Sequence, residues 1–376
     1  MNRAALAARL FLAAALLPGI AGATYAVYAF RAQPPPATGT YRQGGFGAPV
    51  VRAVPRRPGF LLGAFAPPAP RPTQPGVDRQ GGVDRQGGGD VRGLAAFDQM
   101  TGVRAALTVR FVLWGGAFPA RYVIDAARLG AQAVVELEPR GPAAPTLAQI
   151  AAGAGRDYLA RFARELAAPG DHVIVSFAPE MNGAWYSYGS RYATAADFVA
   201  AFRRVHDELT SDLNADLGPG RAASLVTFMW QPSAMHLSDS SPAPYWPGPR
   251  YVGLIGMDGY YFFPSDTFAV IFGKTVALAR RLSPATPIMI GETAVGPKTG
   301  RQLADVRDLF AGISRNHLLG LIWFDRNQAK KSYRKGQRVY HQDWRLQDHP
   351  AVLRVFLAEL TSAGPVASFV QRTPRR

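Results

Sequence analysis

The 376-residue chain contains no cysteine. That absence excludes disulfides, a thiol nucleophile and any cysteine-based metal site. Its six histidines show neither the HExxH nor the His-x-His spacing of a zinc centre, so no metal is expected. No glycine-rich phosphate loop follows the first predicted strand, where residues 59–70 read GFLLGAFAPPAP. A doubly wound open sheet, the competing fold, is therefore disfavoured, and no cofactor is expected. Acidic residues are scarce, and scarcest at the ends: Lys and Arg total 42 against 26 Asp and Glu, a formal net charge of +16. Residues 1–60 carry seven arginines and no acid, and residues 361–376 carry three more arginines, so ten of the sixteen charges lie in tails. Charge placed there suits anionic lipid or wall polymer better than base readout, and nucleic acid is not expected as a partner.

What is present at the N-terminus is an export signal. Arg3 and Arg9 precede 21 uncharged residues, Leu10 to Phe30, which are followed by Arg31 and Pro34-Pro35-Pro36. Leu10 to Leu17 before Ala21-Gly22-Ala23 has the form of an apolar core with a small-residue cleavage site. The whole stretch is also long enough to span a bilayer, which takes about 20 residues. Residues 1–30 are thus read as a signal peptide or a membrane anchor, and the protein as exported, secreted or held in the envelope facing outward. Residues 31–58, rich in Pro, Gly and Arg, read as a flexible linker. A glycine-rich insertion follows at 67–93, with GVDRQG at 76–81 repeated at 82–87; two copies of six residues are too few for a solenoid. Residues 364–376 form a basic tail, and the chain is expected to act as a monomer.

Between these segments the pattern is regular. Short apolar runs at 59–65, 105–114, 132–139, 172–180, 223–230, 251–260, 287–293 and 318–325 alternate with longer amphipathic stretches. Runs such as HVIVSF and PIMIG lack polar alternation, as expected of parallel strands covered on both faces. Thr194 caps a predicted helix with Asp197 three residues on and Phe198, Phe202, Val205 and Leu209 on one face. Val306, Leu309, Phe310 and Ile313 mark another. Eight strand-helix units over residues 59–363 predict a single α/β domain, an eight-stranded (β/α)8 TIM barrel.

Active sites of such barrels lie at the C-terminal ends of the strands, so the residues at those ends carry the functional reading. The fourth run ends in Pro179-Glu180-Met181-Asn182-Gly183, with Trp185 and Tyr186 beyond, and the seventh in Gly291-Glu292-Thr293. Two glutamates at two strand mouths match the needs of glycoside hydrolysis, where one carboxyl protonates the leaving oxygen and the other attacks or stabilises the anomeric carbon.

The string PEMNGAWYSYG at 179–189 resembles the acid/base motif of glycoside hydrolase family 26, the β-mannanase family of clan A retaining enzymes. Glu138-Pro139, Trp230-Gln231-Pro232-Ser233, Tyr245-Trp246-Pro247-Gly248, Ile255 to Tyr260, Ile290 to Thr293, Ile322-Trp323-Phe324 and Asp343-Trp344-Arg345 resemble further segments of that family in the same order. The resemblance covers residues 59 to about 360. It implies a retaining endo-β-glycosidase acting on a β-linked polysaccharide, with Glu180 as acid/base and Glu292 as nucleophile, their carboxyls about 5 to 5.5 Å apart. It further implies that Tyr260 donates a hydrogen bond to Glu292, that Trp323 forms the floor under the sugar, and that Asn182, Trp185, Tyr186 and Trp230 bind substrate. Asp258, His236, Asn327 and His341 are further candidate polar groups. Two departures bear on specificity. Pro179 stands where the family has histidine and supplies neither a side-chain donor nor a backbone N–H. Arg140 replaces a tryptophan after the third strand. A barrel that binds glycan without cleaving it is the competing reading.

Overall fold

A computed structural model describes residues 59–67, 90–236, 240–327 and 342–367. The predicted signal or anchor, the linker, most of the glycine-rich insertion, residues 368–376 of the basic tail and His341 lie outside these. Among the described residues no helix is long and apolar enough to cross a membrane.

Eight strands follow in chain order: β1 (Leu61–Phe65), β2 (Leu107–Leu113), β3 (Gln132–Glu138), β4 (Val173–Phe177), β5 (Val226–Trp230), β6 (Leu254–Ile255), β7 (Ile290–Thr293) and β8 (Gly320–Phe324). Each pairs in parallel with the next from β1 to β6, β7 pairs with β8, and β8 returns to β1 over the five residues from Leu61↔Gly320 to Phe65↔Phe324. Single bridges Ile255↔Ile288, Asp258↔Glu292 and Tyr261↔Val295 join the β6 and β7 segments and bring the ring almost to closure. The result is the predicted (β/α)8 barrel. The sixth strand is regular over two residues because beyond Ile255 the chain bonds alternately to its two neighbours. Gly256 and Asp258 donate backbone N–H groups to Trp230 and Pro232, and Gly259 donates to Glu292.

The helices are α1 (Val91–Thr101), α2 (Ala120–Leu129), α3 (Leu147–Ala151), α4 (Arg156–Ala167) and α5 (Ala195–Leu217) in the first half. The second half holds α6 (Ala222–Leu225), α7 (Phe268–Ile271), α8 (Gly273–Leu282), α9 (Gln302–Arg315) and α10 (Pro350–Ser362). The last residues of the predicted insertion, 91–93, are helical because the Asp90 carboxylate accepts the Arg92 N–H and starts α1. α5 begins at the predicted capping box, Thr194 with Asp197, and buries Phe198, Phe202, Val205 and Leu209. Burying such a stripe contributes roughly 2 kcal/mol per large side chain. Residues 365–367, at the start of the predicted tail, pair with Phe60 instead: Phe60 donates to Pro365 and Ala367 to Phe60. Ala367 packs with Leu61 and Ala106 and so covers the N-terminal end of the barrel.

Near that end sits a partly buried histidine. His172, just before β4, contacts Gln132 Nε2 through Nδ1 and Thr227 Oγ1 through Nε2 at 3.1 Å. The amide is a donor, so Nδ1 accepts and the ring is neutral. Burial lowers its pKa from 6.5 to about 4. A depressed histidine contributes stability that is present above pH 6.5 and lost as pH falls towards 4, about 3 kcal/mol in all. We expect His172→Gln to flatten the fall in unfolding free energy between pH 7 and pH 4.5, measured by urea denaturation. An unaltered slope would show that other groups dominate acid unfolding.

Candidate active site

β4 stops at Phe177, short of the predicted 180, because Ala178 (φ 49°) and Glu180 (φ 53°) are both left-handed on either side of Pro179. Such backbone costs about 1 kcal/mol or more per non-glycine residue and persists only where surrounding bonds fix it. Four do so here. The Ala178 N–H donates to Leu137 (2.9 Å), Glu180 N–H to Gln231 (2.7 Å) and Gly183 N–H to Glu180 (2.8 Å), while the Tyr188 hydroxyl donates to the Pro179 carbonyl (3.0 Å). The turn is thus clamped to β3, to the end of β5 and to its own loop, and it turns the Glu180 carboxyl toward the charge of Glu292 and Glu138.

The second carboxyl reaches the same place by a different device. The pairing of β7 with β8 shifts register between Ile290 and Thr293, an irregularity of the kind that re-aims side chains at barrel rims. Glu292 accepts the Tyr260 hydroxyl at Oε2, 2.5 Å away. Its neighbour must be glycine: a Cβ on Gly291 would lie 2.7 Å from Asp258 Oδ1.

Both carboxyls titrate above their ordinary range. Burial raises Glu180 to about 7, against the opposing effect of the Trp185 N–H, with Glu138 adding to the rise. Burial and the charge of Glu180 raise Glu292 to about 8, opposed by Tyr260 and Arg326. The higher value at Glu292 contains the charge of an ionised Glu180. Once Glu180 is protonated that repulsion vanishes, and the hydroxyl and the cation draw the negative charge onto Glu292. Near neutral pH the pair therefore behaves as one unit holding a single proton.

Trp185 closes over the Glu180 carboxyl. Its indole N–H donates to Glu180 Oε2 at 2.8 Å, yet the side chain is 47% exposed. It lies on Gly183, where a Cβ would come within 2.3 Å of the ring. Because this donor favours the ionised carboxyl, its loss raises the pKa of Glu180. Trp185→Phe should accordingly move the alkaline limb of a pH-rate profile to higher pH, and an unmoved limb would show that the bond is not retained in solution.

Tyr186 is partly buried and stacks on Tyr188 with ring centroids 5.0 Å apart. Arg140 lies over the Tyr186 ring at 5.7 Å and binds the buried Glu138 carboxylate at 2.7 Å. The loop arginine is therefore tied to the end of β3 by an ion pair. Deeper, Glu136, Gln231 and Asp258 form a buried layer: Gln231 Nε2 donates to Glu136 Oε1 (2.9 Å) and to Asp258 Oδ1 and Oδ2 (3.1 and 3.0 Å). Sequence reasoning singled out only Asp258 of these three. Glu136 carried a signal of its own, a charge inside the otherwise apolar QAVVELE strand, which is expensive to bury unpaired.

Three residues predicted to touch substrate lie elsewhere. Asn182 is buried and ties the loops after β4 and β5: its amide donates to Ser233 and Ser240 carbonyls and accepts the Ser233 N–H at 2.9 Å. Trp230 is fully buried and packs edge-on against Trp246 at 5.0 Å. Trp323 is fully buried against Phe356 of α10, its indole N–H donating to the Trp344 carbonyl at 3.0 Å. Side chains alternate along a strand, so with Trp323 turned to the helices, Phe324 takes the inner face. Phe324 stacks on Phe65 and meets Tyr260 edge-on, and Trp344 stacks on Tyr260 at 4.9 Å and 25°. The aromatic wall beside Glu292 is therefore Phe324 and Trp344. Among the secondary candidates, His236 lies 3.1 Å from the buried Asp266, and Asn327 donates to Asp343. No group of three metal-ligating side chains occurs among the described residues.

No family model matches the chain. Endoglucanase H of Acetivibrio thermocellus is 22% identical over 279 residues, 70% of this chain; the chain spans 28% of the length of that relative. Among solved structures, the endo-β-1,4-mannanase of Cellulomonas fimi superposes with a TM-score of 0.53 at 16% identity, over 80% of this chain and 70% of that one. A family 26 β-mannanase from Bacteroides ovatus gives 0.52 at 14% identity, over 85% of this chain and 95% of that one. In fold, as in its motifs, the chain resembles glycoside hydrolase family 26.

Proposed function

We propose that the chain is a retaining endo-β-glycosidase that hydrolyses a β-linked polysaccharide, a β-mannan or a related β-glycan, by double displacement. The observation that carries the reading is the pair of partly buried carboxyls, one just past β4 beneath an indole N–H and the other near the end of β7, held by a tyrosine hydroxyl. The names of the relatives, an endoglucanase and endo-β-1,4-mannanases, support the substrate class.

Glu292, ionised and aimed by Tyr260, attacks the anomeric carbon. Glu180 gives its proton to the departing oxygen as that bond breaks, leaving a glycosyl ester on Glu292. Glu180, now a carboxylate, takes a proton from water, whose oxygen displaces Glu292 and restores the original anomeric configuration. A pair sharing one proton near neutral pH suits both halves of this cycle. Trp185 and Tyr186 supply ring faces for neighbouring sugars, whose C–H faces are apolar. The uncharged stretch Leu10 to Phe30 after two arginines supports action on polymer outside the cytoplasmic membrane.

The test uses the full chain on β-mannan, mixed-linkage β-glucan, xylan and bacterial exopolysaccharides, reading reducing ends and the anomer first formed. We expect new β-configured ends on at least one polymer. First-formed α ends would overturn retention, and binding without cleavage across the panel would replace the hydrolase by a glycan-binding barrel.

A further inference from the structure

Gln231 occupies a position that the proposed chemistry does not by itself require. Its backbone carbonyl accepts the Glu180 N–H at 2.7 Å, so it holds the strained turn carrying the acid. Its side-chain N–H2 group reaches the other way, bonding Glu136 of β3 and Asp258 of the β6 segment at 2.9 to 3.1 Å. Asp258 in turn fills the space against Gly291 and bridges to Glu292 through the backbone. One residue thus connects the turn of the acid to the strand of the nucleophile through a chain of direct contacts.

The connection is costly. Glu136, Gln231 and Asp258 are each at most 2% exposed, and Gln231 Oε1 has no protein donor among the described residues. A buried amide oxygen without a partner costs about 1 to 3 kcal/mol, and two buried acids cost more. An apolar side chain of the same size on each strand would be cheaper for the fold. A motif read as Trp230-Gln231-Pro232-Ser233 therefore holds an amide where stability alone does not call for one.

We infer that Gln231 is a positioning residue that fixes the Glu180 turn against the Glu292 strand and, by holding Glu136 and Asp258 through its N–H2 group, sets how much negative charge the catalytic pair can carry. This rests on the assignment of Glu180 and Glu292 as that pair. The groups that face the pair are Glu136 and Glu138 with its partner Arg140, Asp258 and Tyr260, Trp185 and Tyr186, and Arg326. Carboxyls confined to one dry layer resist ionising together. Removing the amide donors makes Glu136 and Asp258 harder to ionise and so relieves the pair of their repulsion, whereas replacing the amide with another acid adds a competing charge and makes the pair harder to ionise.

The test compares Gln231→Met, which keeps volume and loses both donors, with Gln231→Glu, which keeps shape and adds an acid. Gln231→Met should move the two limbs of the kcat/KM pH profile downward and Gln231→Glu should move them upward, each by at least about half a unit, and both should lower kcat at least tenfold, with KM changed less than threefold. The same opposite shifts should appear in a carbon-13 titration of the Glu180 and Glu292 carboxyls without substrate, each assigned through its Gln variant. That readout separates the two ideas, since a chain that cleaves no glycan can still show the coupling. Carboxyl titrations that match the wild type in both variants, with only the melting temperature lowered, would reduce Gln231 to a structural residue and overturn the inference. Should Gln231→Met fail to fold, Gln231→Glu alone decides.

Discussion

Glu180→Ala should lose roughly 1,000-fold or more of its turnover on a polysaccharide, yet keep rapid first-step cleavage of an aryl β-glycoside whose phenol is a good leaving group. The reason lies in the division of labour proposed for the carboxyls. A sugar alkoxide is too basic to leave without a proton, and general acid assistance is worth about 100- to 10,000-fold. An activated phenol needs no such help, so ester formation on Glu292 proceeds. Water then lacks its base, and the ester accumulates. A small anionic nucleophile such as azide needs no base and enters the space opened by the missing carboxyl, restoring turnover and releasing a β-glycosyl azide. Glu292→Ala lacks the attacking group. It should lose activity on both substrates by a similar factor, and any azide product should have the α configuration. The measurement is the product anomer by proton NMR together with the burst of phenol release. A Glu180→Ala variant equally disabled on aryl glycoside and polymer would remove the acid/base assignment.

Much of this site was legible from residue order alone, and what was missed follows from a physical limit of strings. Apolar runs ending in Glu180 and Glu292 could be read because burial on both faces of a parallel strand leaves a continuous hydrophobic signature that a terminal charge interrupts. Tyr260 could be placed on Glu292 only through a resemblance; the structure supplies the 2.5 Å bond. The side-chain directions were not legible. Trp323 and Phe324 are adjacent aromatics, and which of them faces the barrel interior depends on strand register, where a slip of one residue exchanges the faces. Asn182 and Trp230 sit inside matched motifs but serve as a loop tie and as packing against Trp246. A matched string does not distinguish a residue that touches substrate from one that holds its neighbours. The layer of Glu136, Gln231 and Asp258 was invisible as a unit because its members are 95 and 27 residues apart in sequence. Only barrel closure brings them together.

The same two carboxyls that would make the chain active should also make it less stable, and the cost should be readable as a pH dependence. Glu180 and Glu292 rise to about 7 and about 8 in the folded protein, against about 4.3 for an unfolded glutamate. Between these limits the folded state binds more protons than the unfolded one. Stability is therefore fully present below about pH 4.3 and lost as pH climbs through 7 and 8. Glutamine keeps the shape and can still accept from Trp185 or Tyr260, but it has no proton to lose. Glu180→Gln and Glu292→Gln should then melt close to wild type at pH 4.5 and several degrees above it at pH 8.5. The double variant should gain less than the sum, because each carboxyl raises the other's cost. Thermal denaturation across that range, at fixed ionic strength, gives the answer. A gap between variant and wild type that stays constant with pH would mean that the carboxyls are hydrated in solution and titrate near their ordinary value. Neither could then hold a proton at neutral pH for transfer to a leaving sugar.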